Sequence, residues 1–270
     1  MSFHPIKLAA HNPGPMTGPG NNTYLLVGPE GDAALIDAGV GDALHLADID
    51  RELRARNAHL RRVLVTHAHA DHASGAAALA AIYRGAAFAK YPWPEEDRKY
   101  AVRWQPLADG ERLAVGGDAI VVLHTPGHSP DHLAFWHQPS RTIFSGDLVT
   151  AGSSVMIHSS RGGNLIAYLA SLERLLALAP RTLLPAHGPR PADPAALLAG
   201  YLEHRKERER QVIRALEIGH STVQAIAESI YHGLDSSLMA AARENVRAHL
   251  EKLKAEHRAI DEAERWRICG

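Results

Sequence analysis

The segment Thr66-His67-Ala68-His69-Ala70-Asp71-His72 puts three imidazoles and a carboxylate within six residues. It follows the apolar run Val63-Leu64-Val65 and precedes an alanine-rich stretch, so it reads as a strand-to-helix turn. In α/β architectures such turns present side chains to an open crevice. Residues two apart in extended backbone point the same way, so His67 and His69 share a direction. Asp71 and His72 turn with the loop toward a second point, and one short segment can thereby serve two adjacent metal positions. Crowding neutral imidazoles and a carboxylate without a cation costs desolvation and repulsion. The pattern therefore points to metal ligation rather than to a solvated loop.

Three more motifs place similar side chains just beyond strand ends. Thr125-Pro126-Gly127-His128-Ser129 follows Ile120 to His124, Ser145-Gly146-Asp147 follows Thr142 to Phe144, and Pro185-Ala186-His187-Gly188-Pro189 follows Thr182 to Leu184. Each alone is an ordinary turn residue; four strand ends carrying metal-type side chains form a pattern. The candidates are His67, His69, Asp71, His72, His128, Asp147 and His187. Seven ligands exceed one tetrahedral zinc site and suit two divalent cations sharing a carboxylate. The nitrogen-rich set favours Zn²⁺, with Mn²⁺ or Fe as alternatives. Such a pair makes water acidic enough to attack a carbonyl or phosphoryl centre, and Asp71 could pass a proton to the leaving group. His124 and His132 read as packing or supporting groups, and His158 and Ser159 as a solvated loop near the substrate.

The elements that must position these groups are short strands with a few helices. Strands are expected at Thr23–Val27, Ala33–Ile36, Arg62–Val65, Ile120–His124, Leu133–Trp136, Thr142–Phe144 and Thr182–Leu184; helices at Ala43–Arg56, Ala73–Tyr83 and Leu165–Ala177. Asp193-Pro194 opens a long charged helix to about Ile218. Ser221 is expected to cap a second helix to about Tyr231, and a third runs from about Ser236 to Glu256. Arg258 to Ile268 reads as a hairpin, which makes the tail a winged-helix-like module. The division is expected near residue 200, giving a catalytic domain over 1–200 and a C-terminal module over 201–270.

Bulk composition narrows the partners. The chain has 270 residues, 46% hydrophobic, with net charge −1, so nothing advertises nucleic acid or an anionic membrane. The tail from residue 200 carries 12 basic and 12 acidic side chains. Arg243, Arg247 and Lys254 share a face of its third helix, yet no strong stripe results, and packing or homo-oligomer formation competes with nucleic-acid binding. Cys269 is the sole cysteine, so any site uses nitrogen and oxygen. With no signal-peptide pattern and no apolar run of about 18 residues, the expectation is a cytoplasmic protein that does not enter a membrane.

The His-x-His-x-Asp-His segment with the later His128, Asp147 and His187 resembles the metallo-β-lactamase superfamily. The resemblance implies His67, His69 and His128 on one metal, Asp71, His72 and His187 on the other, and Asp147 bridging. It also implies that Asp37, in Leu35-Ile36-Asp37-Ala38-Gly39, orients the histidine-rich loop. Asn12-Pro13-Gly14-Pro15-Met16-Thr17, Asn22-Thr23-Tyr24-Leu25, Thr125–His132 and the helical tail from Tyr201 are similar to the lactamase-beta-like-2 subfamily with its winged-helix extension. The implied fold is α+β, an αβ/βα sandwich plus that module. One departure is Gly163-Asn164, where bacterial relatives tend to carry Gly-Asp.

The implied activity is hydrolysis of an ester, thioester or lactone. Alternatives are an endoribonuclease cutting single-stranded RNA and a catalytically inert binding module that kept the fold. Asp147 at the bridging position and the missing export signal argue against a true β-lactamase. The 39 residues between Asp147 and His187 leave no room for the inserted domain of the longer nuclease branch. The tail does not match the helical domain of glyoxalase II.

Overall fold

The computed structural model describes residues 3–15, 17–115 and 118–269. Met1, Ser2 and Met16, on which parts of the N-terminal reading fall, lie outside the described residues. The first sheet holds β1 (Ile6–Ala9), β2 (Asn22–Val27), β3 (Asp32–Ile36), β4 (His59–Leu64), β5 (Ala87–Lys90) and β6 (Trp104–Pro106), in that spatial order. It is antiparallel through β3 and parallel from β3 to β6. The second sheet holds β7 (Arg112–Val115), β8 (Asp118–His124), β9 (Leu133–His137), β10 (Thr142–Gly146) and β11 (Thr182–Pro185). Only its β10–β11 pair is parallel.

Side-chain alternation along the strands builds the sandwich. Tyr24, Leu26, Ala34, Ile36 and Leu64 of the first sheet meet Ile120, Val122, Leu133, Phe135 and Phe144 of the second in one buried cluster. Their neighbours Leu25, Leu35 and Val63 face outward, under Ile49 and Leu53 of α1 (Ala43–Ala55) and Leu79 of α3 (Ala76–Ile82). Leu123, Ala134, Trp136 and Ile143 face outward on the other side, under Leu172 of α5 (Leu165–Ala177) and Leu198 of α6 (Pro194–Glu217). Both faces of each sheet are thus buried, and a one-residue slip of any central strand would exchange its two apolar sets. The result is the expected αβ/βα sandwich. No helix among the described residues is long and apolar enough to cross a membrane.

The expected helix over Ala73–Tyr83 is two pieces, α2 (Ala70–Ala73) and α3, separated at Ser74-Gly75. The cause is a close approach: a Cβ on Gly75 would lie 2.1 Å from the Ala38 carbonyl oxygen, and the Gly75 N–H donates to Gly39 O at 2.9 Å. The short strands β1, β5, β6 and β7 and the short helix α4 (Pro94–Asp97) carry no periodic signal, being only three or four residues each.

Asp193 caps α6, accepting from Ala196 N at 3.0 Å with Pro194 in the first turn. The first half of α6 packs Leu198, Tyr201 and Leu202 on the sandwich. Its second half joins α7 (Val223–Ile230), α8 (Met239–Ala255) and the hairpin of β12 (Ala259–Glu262) and β13 (Arg265–Ile268) around Val212, Ile226, Val246, Leu250 and Trp266. This is the winged-helix module. Its α7 is capped by Thr222, which accepts from Ala225 N at 3.1 Å, one residue beyond the expected Ser221. A 3₁₀ turn over Ser236–Leu238 takes the first residues expected for α8.

Candidate metal centre

β3, β4, β8, β10 and β11 all point their C-terminal ends at one edge of the sandwich. Asp37, the His67–His72 loop, His128, Asp147 and His187 follow those ends directly. The seven candidate residues come together in two groups. Ligand atoms of His67, His69, His128 and Asp147 all lie within 4.8 Å of one another, as do those of Asp71, His72 and His187. His69 is still extended, at φ −64° and ψ 147°, whereas Asp71 and His72 sit in the first turn of α2. That change of backbone sends the two halves of the loop to different groups.

In the first group, His69 Nδ1 lies 2.8 Å from His67 Nε2 and 3.0 Å from His128 Nε2. Nitrogens on one tetrahedral zinc stand about 3.3–3.4 Å apart for bonds of about 2.0–2.1 Å, so three ring nitrogens already converge on a cation-sized point. Asp147 divides its oxygens between the groups. Oδ2 is 3.5 Å from His128 Nε2 and 3.9 Å from His67 Nε2. Oδ1 is 3.4 Å from His72 Nε2 and 3.3 Å from His187 Nε2. Asp71 Oδ2 stands 3.5 and 3.3 Å from the same two nitrogens. Asp147 Oδ1 is buried without a hydrogen-bond partner among the described residues, which is costly unless a cation or proton meets it.

The electrostatics fit the same division. Burial pushes His69 down to about 3, helped by the neighbouring His128 imidazole. Burial also holds His67 well below the usual histidine range and His128 below it. These rings are neutral lone-pair donors. Around His72 burial acts the same way, but Asp147, Asp71 and Asp37 outweigh it and hold the ring well above its ordinary value. Asp147 likewise overcomes burial at His187, pushing it up to about 9. Burial would raise Asp147 and Asp71, yet the His72 imidazole in each case leads the opposing groups that hold them ionised. In the second group, protons on imidazole stand where a divalent cation would neutralise the carboxylates.

The loop is held from behind. Asp37 Oδ1 accepts from Thr66 N at 2.7 Å and from Thr66 Oγ1 at 2.9 Å, and its Oδ2 lies 2.9 Å from His72 Nδ1. A proton on Nδ1 leaves Nε2 free to bind metal. His132 is no ligand: its Nε2 accepts from Asp147 N at 3.0 Å, and its Nδ1 meets Thr125 Oγ1 at 2.9 Å. Gly146 makes that contact possible, with φ +50° and a site where a Cβ would lie 2.6 Å from His132 Nε2. His124 stacks on Tyr91 with ring centroids 3.9 Å apart, a packing role.

Residues 16–187 match the metallo-β-lactamase superfamily, and residues 222–266 match the β-lactamase-associated winged helix domain. The chain belongs to the metallo-β-lactamase superfamily. A "Beta-lactamase-like protein 2 homolog" of Caenorhabditis elegans is 30% identical over 250 residues, covering 92% of this chain and 83% of that protein. An "Atrochrysone carboxyl ACP thioesterase" of Aspergillus chevalieri is 31% identical over 278 residues, covering 98% and 87%. A β-lactamase domain protein from Burkholderia ambifaria shares the fold, with TM-score 0.83 at 22% identity over 99% of this chain and 91% of the other.

On this metallo-β-lactamase frame the centre floors a cleft of about 530 Å³, walled by Thr17 to Pro19, Val149 to Met156, His158 and Pro189. Several supporting groups went unassigned at the sequence level. Asn21 Nδ2 donates to Asp71 Oδ2 at 3.0 Å, while Asn22 Nδ2 donates to the carbonyls of Pro185 and Gly188 at 3.0 and 2.9 Å, on either side of His187. Asp131 Oδ2 accepts from Ala68 N at 2.8 Å and from the fully buried Lys90 Nζ at 2.9 Å. Tyr100 donates to Ala68 O at 2.6 Å, so both peptide groups of the residue between His67 and His69 are held by side chains. Asp131 lies within the Thr125–His132 motif, whereas Lys90 and Tyr100 stand in no motif of the sequence. Asn164 caps α5 through Ala167 N at 2.9 Å, a task that aspartate performs equally well.

Proposed function

We propose that this protein is a dinuclear metal hydrolase acting on a neutral acyl substrate, a thioester foremost, with an ester or lactone as the close variants. In this reading His67, His69 and His128 would hold one cation and Asp71, His72 and His187 the other, with Asp147 offering one oxygen to each group. Cations held there supply Lewis acidity and bring the ionisation of water toward neutral pH. The chain's own groups do the rest. Asp147 fixes the spacing of the two groups through its separate oxygens, and Asp71, ionised and partly open to the cleft, can take a proton from water and return it to the leaving group. Zinc suits the nitrogen-rich donors best, with manganese or iron as alternatives.

The carrying observation is the cleft wall. Among the described residues lining it there is no lysine or arginine, and a groove for single-stranded RNA needs cationic side chains along its length. Hydroxyls, backbone and apolar side chains suit an uncharged acyl group. The thioesterase named above supports the choice of thioester. We also propose the cytoplasm as the compartment and residues 1–200 and 201–270 as the working units, with α6 shared between them. The test is hydrolysis by metal-loaded protein of acyl thioesters, esters, lactones and single-stranded RNA, with Asp71→Ala as control and metal content measured by mass spectrometry. Thioester turnover lost in the control is expected; cleavage of RNA alone, lost in the control, would overturn the acyl reading.

A further inference from the structure

Within the segment 150–160, residues 150–156 and 158 wall the cleft, and the segment is fastened at four points by helices α6 and α8. The Tyr201 hydroxyl accepts from Thr150 N at 3.0 Å and donates to Ser153 O at 2.8 Å. Arg205 Nη2 donates to Val155 O, and its Nη1 donates to Asn245 Oδ1 at 3.2 Å. Asn245 Oδ1 also accepts from Ile157 N at 3.3 Å. Glu244 Oε2 accepts from Ser160 N at 3.1 Å and Oγ at 2.9 Å. On its other side the same segment holds two of the proposed ligands. Met156 O accepts from His128 Nδ1 at 3.0 Å, and Thr150 Oγ1 donates to His187 O at 2.9 Å.

Arg205 is the unusual member. It is 2% exposed and has no carboxylate partner among the described residues. A buried guanidinium is expensive to desolvate, and here only a carbonyl, an amide oxygen and the face of Tyr168, 5.3 Å away, compensate it. Leucine or methionine would fill the space between α6 and the sheet at lower cost. What arginine adds is direction: its fork fixes the Val155 carbonyl and the Asn245 amide at once, and Asn245 then fixes Ile157. Val155 and Ile157 flank Met156, whose carbonyl accepts a hydrogen bond from His128 Nδ1 and leaves Nε2 toward the centre.

We propose that the helices leading into and forming the winged-helix module brace the metal cleft, with Arg205 and Asn245 as positioning residues that fix the wall at Met156 and, through it, the ring of His128. The module touches neither the proposed cations nor the cleft interior; it acts by holding the segment that touches both. The metal arm of the test rests on the ligand reading above, whereas the wall arm does not.

The experiment compares Asn245→Ala and Arg205→Met with Val212→Ala, which weakens the core of the C-terminal module without touching the wall. Amide hydrogen exchange is followed in the metal-free proteins, and zinc affinity by chelator competition. Exchange in 150–160 is expected to quicken roughly tenfold or more in the first two variants and not in the third. One of two zinc ions is expected to bind about tenfold more weakly, the lower end for loss of groups that orient a ligand. Wall exchange in Asn245→Ala equal to wild type, or no faster than in Val212→Ala, overturns the brace. A loosened wall with unchanged zinc affinity overturns the link to His128. Wild-type protein that takes up no metal refutes the ligand reading and leaves the exchange data to decide the brace. If Arg205→Met does not fold, Asn245→Ala carries the comparison.

Discussion

Replacing Asp37 with asparagine tests whether the charge behind the histidine loop governs the second metal position. The aspartate serves three donors with two oxygens: Thr66 N at 2.7 Å, Thr66 Oγ1 at 2.9 Å and His72 Nδ1 at 2.9 Å. Asparagine has the same shape but one acceptor oxygen. If that oxygen stays on Thr66, the new NH₂ faces His72 Nδ1, which must then accept, and the ring proton moves to Nε2, the atom aimed at Asp71 and Asp147. If the amide flips, the buried Thr66 N–H loses its partner, a cost of about 1–3 kcal/mol. Loss of a group that orients a metal-bound histidine typically weakens binding about 10- to 100-fold, or about 1.4–2.8 kcal/mol. The loss should be selective, since the Asp37 carboxylate meets His72 and Thr66 and, among the described residues, neither hydrogen-bonds nor ion-pairs with His69 or His128. Zinc titration against a chromophoric chelator, with circular dichroism to confirm folding, is the assay. Two strong sites in wild type and one strong plus one weakened site in Asp37→Asn are expected. A folded variant that binds two zinc ions as tightly as wild type would refute the reasoning.

Three further outcomes follow from the same structure. Gly146→Ala should lower stability by about 1–3 kcal/mol in urea unfolding, because the position has φ +50° and its Cβ would meet His132 Nε2 at 2.6 Å. His45 is buried, and desolvation pushes its pKa down to about 4. The unfolded chain therefore takes up that proton first, so the contribution is intact above about pH 6.5 and fades as pH falls toward 4, by up to about 3 kcal/mol; His45→Gln should flatten that part of the stability curve. His249→Leu should raise the urea midpoint by about 1–2 kcal/mol equivalent, since both ring nitrogens are buried without partners among the described residues.

The sequence determined what depends on neighbours along the chain. The spacing of His67, His69, Asp71 and His72 fixes their directions through backbone geometry, and the short apolar runs from Thr23 to Val27 and from Leu133 to Trp136 mark strands buried on both faces. Helices α1, α5 and α6 declared themselves through apolar spacing and capping residues such as Asp193. The short strands β1, β5, β6 and β7 did not, because three or four residues carry no period and, unlike β11, they do not lead into a ligand motif. Only the tertiary structure decided which of the remaining histidines reach the centre. His124, His128 and His132 lie within nine residues, yet one stacks on Tyr91, one faces His69, and one supports Asp147 from behind. Only packing placed Lys90 under Asp131, or Arg205 and Asn245 behind the cleft wall. Such partners stand far apart in the chain, 88 residues for Ile157 and Asn245 and 166 for Asn22 and Gly188. Their meeting is set by how two sheets and two helices stack, which no local pattern encodes.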